Sequence, residues 1–515
     1  MKNIMRTRLL WGAVLVLGLV ALFIPWVSQF RILSPESVPA AEISVTSEAD
    51  GGLGSLREAI FAAAKNPGKT QIKIKVNKII LKTPLPPLVN AQGIDIDTEE
   101  SHAAIDAKLL PEGPVLDVAT PSAHILGLQI NNASGQAILL RESGARIKGV
   151  VISNSKEGIY LVDGVQDVVI EQSRFEGNIT GIHLQPAVSR VTVKDNTFLH
   201  QRKASIWAVS PKPQDMDKHI NLVVRGNRFT RDFQSIVLIH AQGKIMNNSF
   251  EGMEEAAVYL VGSGSMAKNN RLSNGLRFGF SIDSSSGMVI EENEIDHNAG
   301  GGILLKSSSG VNIKRNRLYD NGYGMAVLFG SRANPNTIAD NLLLQQKQDG
   351  LYVVGGSPIL RSNVVRQSGK AGIRLLTYKK TKGELLTPNP LLEKNDLTEN
   401  ADGNIAQGIY SEETVPVTPA NPSPGSAISP GTLLSGSTAG LSWGAVSGAT
   451  YYSLGVRDIA SSTLVVNATT TDTRYTAALT AGKQYRWSVA ACNATRCSSY
   501  TTVLFFQTPA AVTIP

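Results

Sequence analysis

The sequence predicts an all-β solenoid, many short parallel strands wound into stacked coils, with a small β-sandwich after it. Three observations lead there. An Asn recurs as Asn196, Asn227, Asn248, Asn270, Asn293, Asn316, Asn341, Asn363 and Asn395, and the residue two further on is always Phe, Leu, Ile or Val. From Gly287 to Gln367 the unit returns every 22 to 25 residues, and a fixed period of that size marks a solenoid. A Gly follows eight or nine positions after the Asn (Gly302, Gly324, Gly350) and opens an alternating strand such as Ile303-Leu304-Leu305 or Leu351-Tyr352-Val353.

Toward the N-terminus the Asn slot holds Ser173, Val150 and Leu128, with Phe175, Ile152 and Ile130 after it. Twelve coils are thus visible between about Leu128 and Asp402, and two long gaps mark insertions at Ala208 to His219 and Thr377 to Pro388. Alternation turns Ile303 and Leu305 inward and Leu304 and Lys306 outward. One coil buries too little apolar surface to offset the entropy of ordering it, so neighbours must stack. An Asn in each bend can bond backbone groups and its own copies as a ladder. The Gly before the next strand is expected to supply the freedom a tight bend needs. This pattern resembles the right-handed parallel β-helix of pectate lyases and related repeat proteins, over more than half the chain. The Leu-x-x-Leu-x-Leu frame of a leucine-rich repeat is missing. Many functions share a β-helix, so the fold alone names no chemistry.

Residues 1–40 stand apart. Lys2, Arg6 and Arg8 precede an apolar run from Leu9 to Val27, a signal for export. Its 19 residues are enough to span a bilayer, and the expectation is an uncleaved inner-membrane anchor with its positive end inside. Val38-Pro39-Ala40 is the alternative, a cleavage site. Either way the remainder works outside the cytoplasm, in the periplasm or beyond.

The solenoid is expected over 41–410. Gly54 to Ala64 reads as an amphipathic helix with Ser55 as N-cap and Glu58 three residues on. The string from Asp50 to Ile60, DGGLGSLREAI, resembles the opening segment of exported β-helix proteins, and a helix there would plug the open end. Ile72 to Val76 and Ile94 to Asp97 look like the first, irregular coils. Residues 411–431, with five prolines, read as an extended linker. Residues 432–509 carry short alternating strands, among them Leu441-Ser-Trp443 and Tyr485-x-Trp487-x-Val489. They resemble a fibronectin type III domain, with Tyr485 placed like a tyrosine corner. Cys492 and Cys497, with four residues between them, suit a disulfide across a hairpin in an oxidising compartment. Two thiols are too few for a metal site, and no cofactor is expected.

Two outward ribbons offer binding surfaces. Positions two before and one after the Asn read Lys194, Arg225, Arg228, Lys268, Arg271, Lys314, Arg317 and Arg361, broken by Glu291 and Glu294. Stacked about 4.8 Å apart, they would form a basic stripe for a polyanionic glycan, although a solvated face would look the same. The net charge of +7 permits acidic partners. Nucleic acid is not expected, because no aromatic platform interleaves the cations. The strand after the Gly is oddly apolar on its outer side: Tyr160, Val162, Trp207, Val209, Val237, Ile239, Tyr259, Val261, Leu304, Ala326, Leu328, Tyr352, Val354 and Leu376. Such a ribbon calls for a cover: the C-terminal domain, a loop, an envelope partner, or a sugar on Trp207, Tyr259 and Tyr352.

Tyr160 and His183 hold the same slot on neighbouring coils, with Arg141 one coil further. Tyr and His as acid and base, with Arg neutralising a uronate, is the chemistry of a lyase or C5-epimerase. The paired aspartates and Gly-His-Gly of polygalacturonases are absent, as is the Asp-Pro-His of alginate epimerases. The leading reading is an exported, envelope-anchored protein that binds or modifies a polysaccharide. The alternative is a non-catalytic structural, assembly or adhesion protein. The Asn321-Gly-Tyr-Gly324 turn is similar to one in periplasmic β-helix proteins that assist copper-centre assembly in nitrous oxide reductase. No His/Met/Cys cluster accompanies it.

Overall fold

A left-handed residue immediately before each repeat Asn turns the chain from one sheet into the next. Asp195, Asn247, Asn269, Glu292, Arg315, Asp340 and Ser362 take φ between 52° and 58°. The computed structural model describes residues 41–98, 100–210, 221–380, 384–410, 416–461, 464–492 and 497–510. Residues 1–40, expected as the membrane anchor, lie outside these, as do 211–220 of the first insertion and 411–415 of the linker.

Among the described residues the coils build three sheets of 15, 13 and 14 strands, paired in parallel along the stack except at Leu385–Leu386. One coil contributes Val289–Glu291 to the first, Glu294–Asp296 to the second and Gly301–Lys306 to the third. Thr70–Ile74 and Ile94–Asp97 are early strands of the first sheet, but Ala41–Val45 precedes them and pairs in parallel with Thr70–Ile74. The chain is a right-handed parallel β-solenoid.

All nine asparagines stand in one file. Each of the first eight donates its backbone N–H to the Oδ1 of the next, from Asn196→Asn227 to Asn363→Asn395, at 2.9–3.1 Å. Each also donates Nδ2–H to a carbonyl of the preceding coil, for example Asn316 to Ile290 O at 2.9 Å. Every buried polar group of this corner is thereby paired. Beside the file Phe175, Phe198, Phe229 and Phe250 stack face to face inside the core, 4.7–4.9 Å between centroids.

A second polar file, five residues after the first, escaped the sequence reading because its residue type varies. It runs through Gln201→Asp232, Asn298→Asn321→Gln346 and Ser368→Asn400. Here the acceptor geometry repeats while the side chain does not.

The glycines correct one expectation. Gly302, Gly324 and Gly350 are not left-handed; their need is space. A Cβ on Gly302 would stand 2.7 Å from Gly324 O, and one on Gly350 would stand 2.8 Å from Gly372 O. Bend freedom lies with the residue before the Asn instead.

Helix α1 (Leu56–Lys65) starts at Ser55, whose Oγ accepts the Glu58 N–H at 3.3 Å. Its Leu56, Ala59, Ile60 and Ala63 are buried in the same core as the coils. At the far end Ile373–Lys379 pairs antiparallel with Leu385–Leu386 and parallel with Ile405–Tyr410. Val354, Leu376 and Tyr410 form a buried cluster there, with Leu328, Phe329, Tyr352 and Tyr378 against it. So the chain itself covers that end of the apolar ribbon.

The C-terminal region has a five-stranded sheet and a two-stranded one around Trp443, Tyr452, Leu454, Tyr485, Trp487 and Phe506. Tyr485 Oη donates to Thr480 O at 3.1 Å and accepts the Thr480 N–H at 3.0 Å. Cys492 and Cys497 are disulfide-bonded. Part of the Pro-rich stretch joins this region: Ser423 and Ser426 bridge to Ser442 and Phe505, and Trp487 Nε1–H donates to Pro424 O at 2.7 Å. The whole packs back on the corner between the second and third sheets, through Arg486–Glu254, Tyr500 N–H to Glu255, and Arg277 over the Tyr500 ring.

Candidate functional site

Strand register on the third sheet sets the outward column. Tyr160 pairs with His183, and His183 with Trp207. Val237 then separates Trp207 from Tyr259. Tyr352 lies four coils past Tyr259, tilted on Tyr323 at 5.3 Å. Tyr160, His183 and Trp207 therefore form a group, and Tyr352 belongs to the covered end.

The Tyr160 and His183 rings meet edge to face with centroids 4.7 Å apart. His183 Nδ1 lies 2.8 Å from Glu157 Oε1, and its Nε2 lies 3.2 Å from Gln185 Nε2. A carboxylate can only accept, so Nδ1 carries the proton and Nε2 is left as an acceptor toward the Gln185 amide. Gln136 Nε2 reaches the other Glu157 oxygen at 3.4 Å. Burial pushes the Tyr160 phenol above its usual range, and the Glu157 charge adds to this. Such a constellation can hold a hydroxyl-rich ligand, and it places a hydrogen-bond acceptor, a phenol and a carboxylate within one strand spacing.

Glu157 was not singled out from the sequence. It stands three residues before Tyr160 at the start of Glu157–Leu161, and only the parallel pairing of coils brings it under His183. An outward Glu beside Gly158 carries no signal that separates it from a solvated one.

Arg141 is elsewhere. The register partner of Tyr160 is Leu139, so Arg141 lies two residues beyond. Its Nε and Nη2 bind both oxygens of Asp117 at 2.6 and 3.1 Å. A forked pair of this kind is geometrically satisfied. The cation nearest the aromatic file is instead Lys203, whose Nζ sits 3.6 Å from the Trp207 ring centroid.

The basic stripe is divided and largely paired. Positions two before the Asn end first-sheet strands, and positions one after begin second-sheet strands, so the cations flank a corner. Lys194 binds Glu171, Lys268 and Lys314 share Glu291, and Arg361 binds Glu393. Arg228 lies 3.5 Å from Glu251, and Arg271 lies 3.7 Å from Glu294 and 3.5 Å from Asp296. Arg225 and Arg317 have no such partner among the described residues. The lysine–glutamate contacts hold the Glu171 and Glu291 carboxyls below the ordinary range. Acidic residues one coil away thus answer most of the positive charge.

Among the described residues no helix is long and apolar enough to cross a membrane. No curated protein sequence matches the chain. Several solved structures resemble it, among them the following three. The catalytic unit of the GH87 alpha-1,3-glucanase from Streptomyces thermodiastaticus strain HF3-3 is 15% identical, with 69% of each chain covered and a TM-score of 0.42. A tailspike protein double mutant of E. coli bacteriophage HK620, in complex with pentasaccharide, is 10% identical over 78% of this chain and 82% of that one, TM-score 0.45. PfbA, a surface adhesin of Streptococcus pneumoniae, is 13% identical over 71% and 93%, TM-score 0.35. Overlaps this loose transfer no residue role to the present chain. The family model for the right handed beta helix region matches residues 117–272 and 244–365.

Proposed function

We propose that this protein is an exported, envelope-anchored solenoid that binds a polysaccharide on the outer face of its third sheet. The observation that carries the reading is the file Tyr160–His183–Trp207, flanked by Glu157, Gln185 and Lys203. Aromatic faces about one strand spacing apart, rimmed by a few fixed polar groups, suit a ligand with apolar ring faces and hydroxyl edges. Helix α1 closes the N-terminal end of the core in this reading, and its four buried apolar residues support that. The C-terminal region acts as a fibronectin type III-like module; the Tyr485–Thr480 hydrogen bonds favour it.

Catalysis by lyase or epimerase chemistry is a second reading, favoured by the 2.8 Å Glu157–His183 contact beside Tyr160. His183 would take the sugar proton, and Tyr160 would serve as the acid.

Titration of the full-length protein with a panel of neutral and acidic polysaccharides, followed by tryptophan fluorescence, tests the first reading. Trp207→Ala is expected to lose binding while the fold persists. Retained binding would eliminate this face. Ultraviolet absorbance of an unsaturated uronate product, abolished in His183→Ala, tests the second; bound polymer without any product or epimer leaves a purely binding protein.

A further inference from the structure

We infer that Lys203 and Trp207 form a subsite for a glycosyl residue carrying an anionic group. The inference rests on the polysaccharide reading above and narrows its ligand.

Lys203 lies just before the strand Ala204–Val209, and its ammonium caps the indole of Trp207 at 3.6 Å from the centroid. The ring quadrupole attracts this cation without neutralising it. Lys156, beside Glu157, is taken by Glu112, and the more distant Arg141 by Asp117. Glu157 acts on Lys203 at a distance, while its own oxygens are engaged by His183 and Gln136. Among the described residues Lys203 has no carboxylate within ion-pair distance. Lys203 is exposed as a residue, yet desolvation of its ammonium against the indole pushes its pKa down.

A second observation points the same way. Among the described residues the neighbouring Arg202 also lacks a carboxylate partner, and its Nε is buried without an acceptor. Two successive cations without acids among the described residues, at the head of the strand that carries Trp207, leave a local positive excess there. An arriving carboxylate or sulfate would meet a partly desolvated ammonium, where a charge-assisted bond is stronger than in water. Its sugar ring would remain beside the Trp207, His183 and Tyr160 rings. A neutral sugar gains only the stacking.

The test compares polygalacturonate, dextran sulfate and dextran on the full-length protein, at low and high salt. The wild type is expected to bind an acidic polymer at least about tenfold more tightly than dextran, with the preference shrinking as salt rises. Lys203→Met keeps the apolar stem over the indole and should abolish the preference; Lys203→Arg should keep it. Circular dichroism confirms that each variant is folded. Preference for sulfate or for carboxylate would each support the subsite and assign the group. Unchanged preference in Lys203→Met, or equal wild-type binding of dextran and the acidic polymers, overturns the inference and leaves the polysaccharide reading standing. Failure of every polymer to bind overturns both.

Discussion

Arg486 Nη1 lies 3.1 Å from Glu254 Oε1, and both side chains are about 95% removed from water (4% and 5% exposed). The two residues come from the C-terminal sheet and from the solenoid. Arg486 Nη2 also donates to Arg231 O at 2.5 Å, and the imidazole of His200 is pushed down to about 3, by burial first and then by Arg486, Arg231 and Arg457. A neutral His among these arginines adds no repulsion, and Glu254 answers Arg486 while Glu255 accepts from the Tyr500 N–H.

Removing either partner of that pair strands a buried charge. Glu254→Ala is expected to cost roughly 3–5 kcal/mol, read as a lower melting temperature. Glu254→Leu with Arg486→Met should recover most of the loss. A single variant indistinguishable from wild type would show that the domains are held by other contacts.

The Asn file predicts a second loss. In Asn316→Ala the Asn293 N–H and Nδ2–H and the Ile290 carbonyl all lose their partner. Each buried orphan costs about 1–3 kcal/mol, so urea denaturation should reveal a drop of several. An exposed Asn such as Asn467, changed the same way, should move stability by less than about 0.5 kcal/mol.

Asp232 occupies the second file where other coils carry Asn, Gln or Ser. Burial raises its pKa to about 7, against the pull of Ser205, Gln201 N–H, Arg486 and Ser235. The folded state therefore holds the proton more tightly than the unfolded one. Stability from this group is full below about pH 4 and declines as pH rises toward 7, flattening above. Asp232→Asn should remove that slope and stabilise the protein at pH 8 by on the order of a few kcal/mol. An Asp232→Asn variant with the same pH–stability curve as wild type would contradict this.

Glu157 should fix the tautomer of His183. Nitrogen-15 chemical shifts are expected to place the proton on Nδ1 in the wild type. In Glu157→Ala a mixture of both tautomers should appear, with a loss of about 1.5–3 kcal/mol in stability from the charged hydrogen bond. An unchanged tautomer would mean that Gln185 alone orients the ring.

What the sequence by itself determined was everything that repeats. The 22- to 25-residue period, the Asn file, the inward Phe stack and the Tyr160–His183 juxtaposition follow from translation along one axis. In a solenoid a residue meets its counterpart one period away, so spacing alone predicts contact. The disulfide between Cys492 and Cys497 was legible for a related reason, since its partners are local.

Only the tertiary structure decided what breaks the repeat. Glu254 and Arg486 are 232 residues apart and share no period. Glu157 reaches His183 by an offset of 26, so the two are not slot-mates. The basic stripe looked continuous because cations recur, yet Glu171, Glu291 and Glu393 hold the register slots next to Lys194, Lys268 and Arg361, and their carboxylates bind those cations. Alternation fixes only which way a side chain leaves the backbone. Where its charged end comes to rest depends on long, flexible side chains and on the C-terminal region folding back, and neither is encoded in spacing.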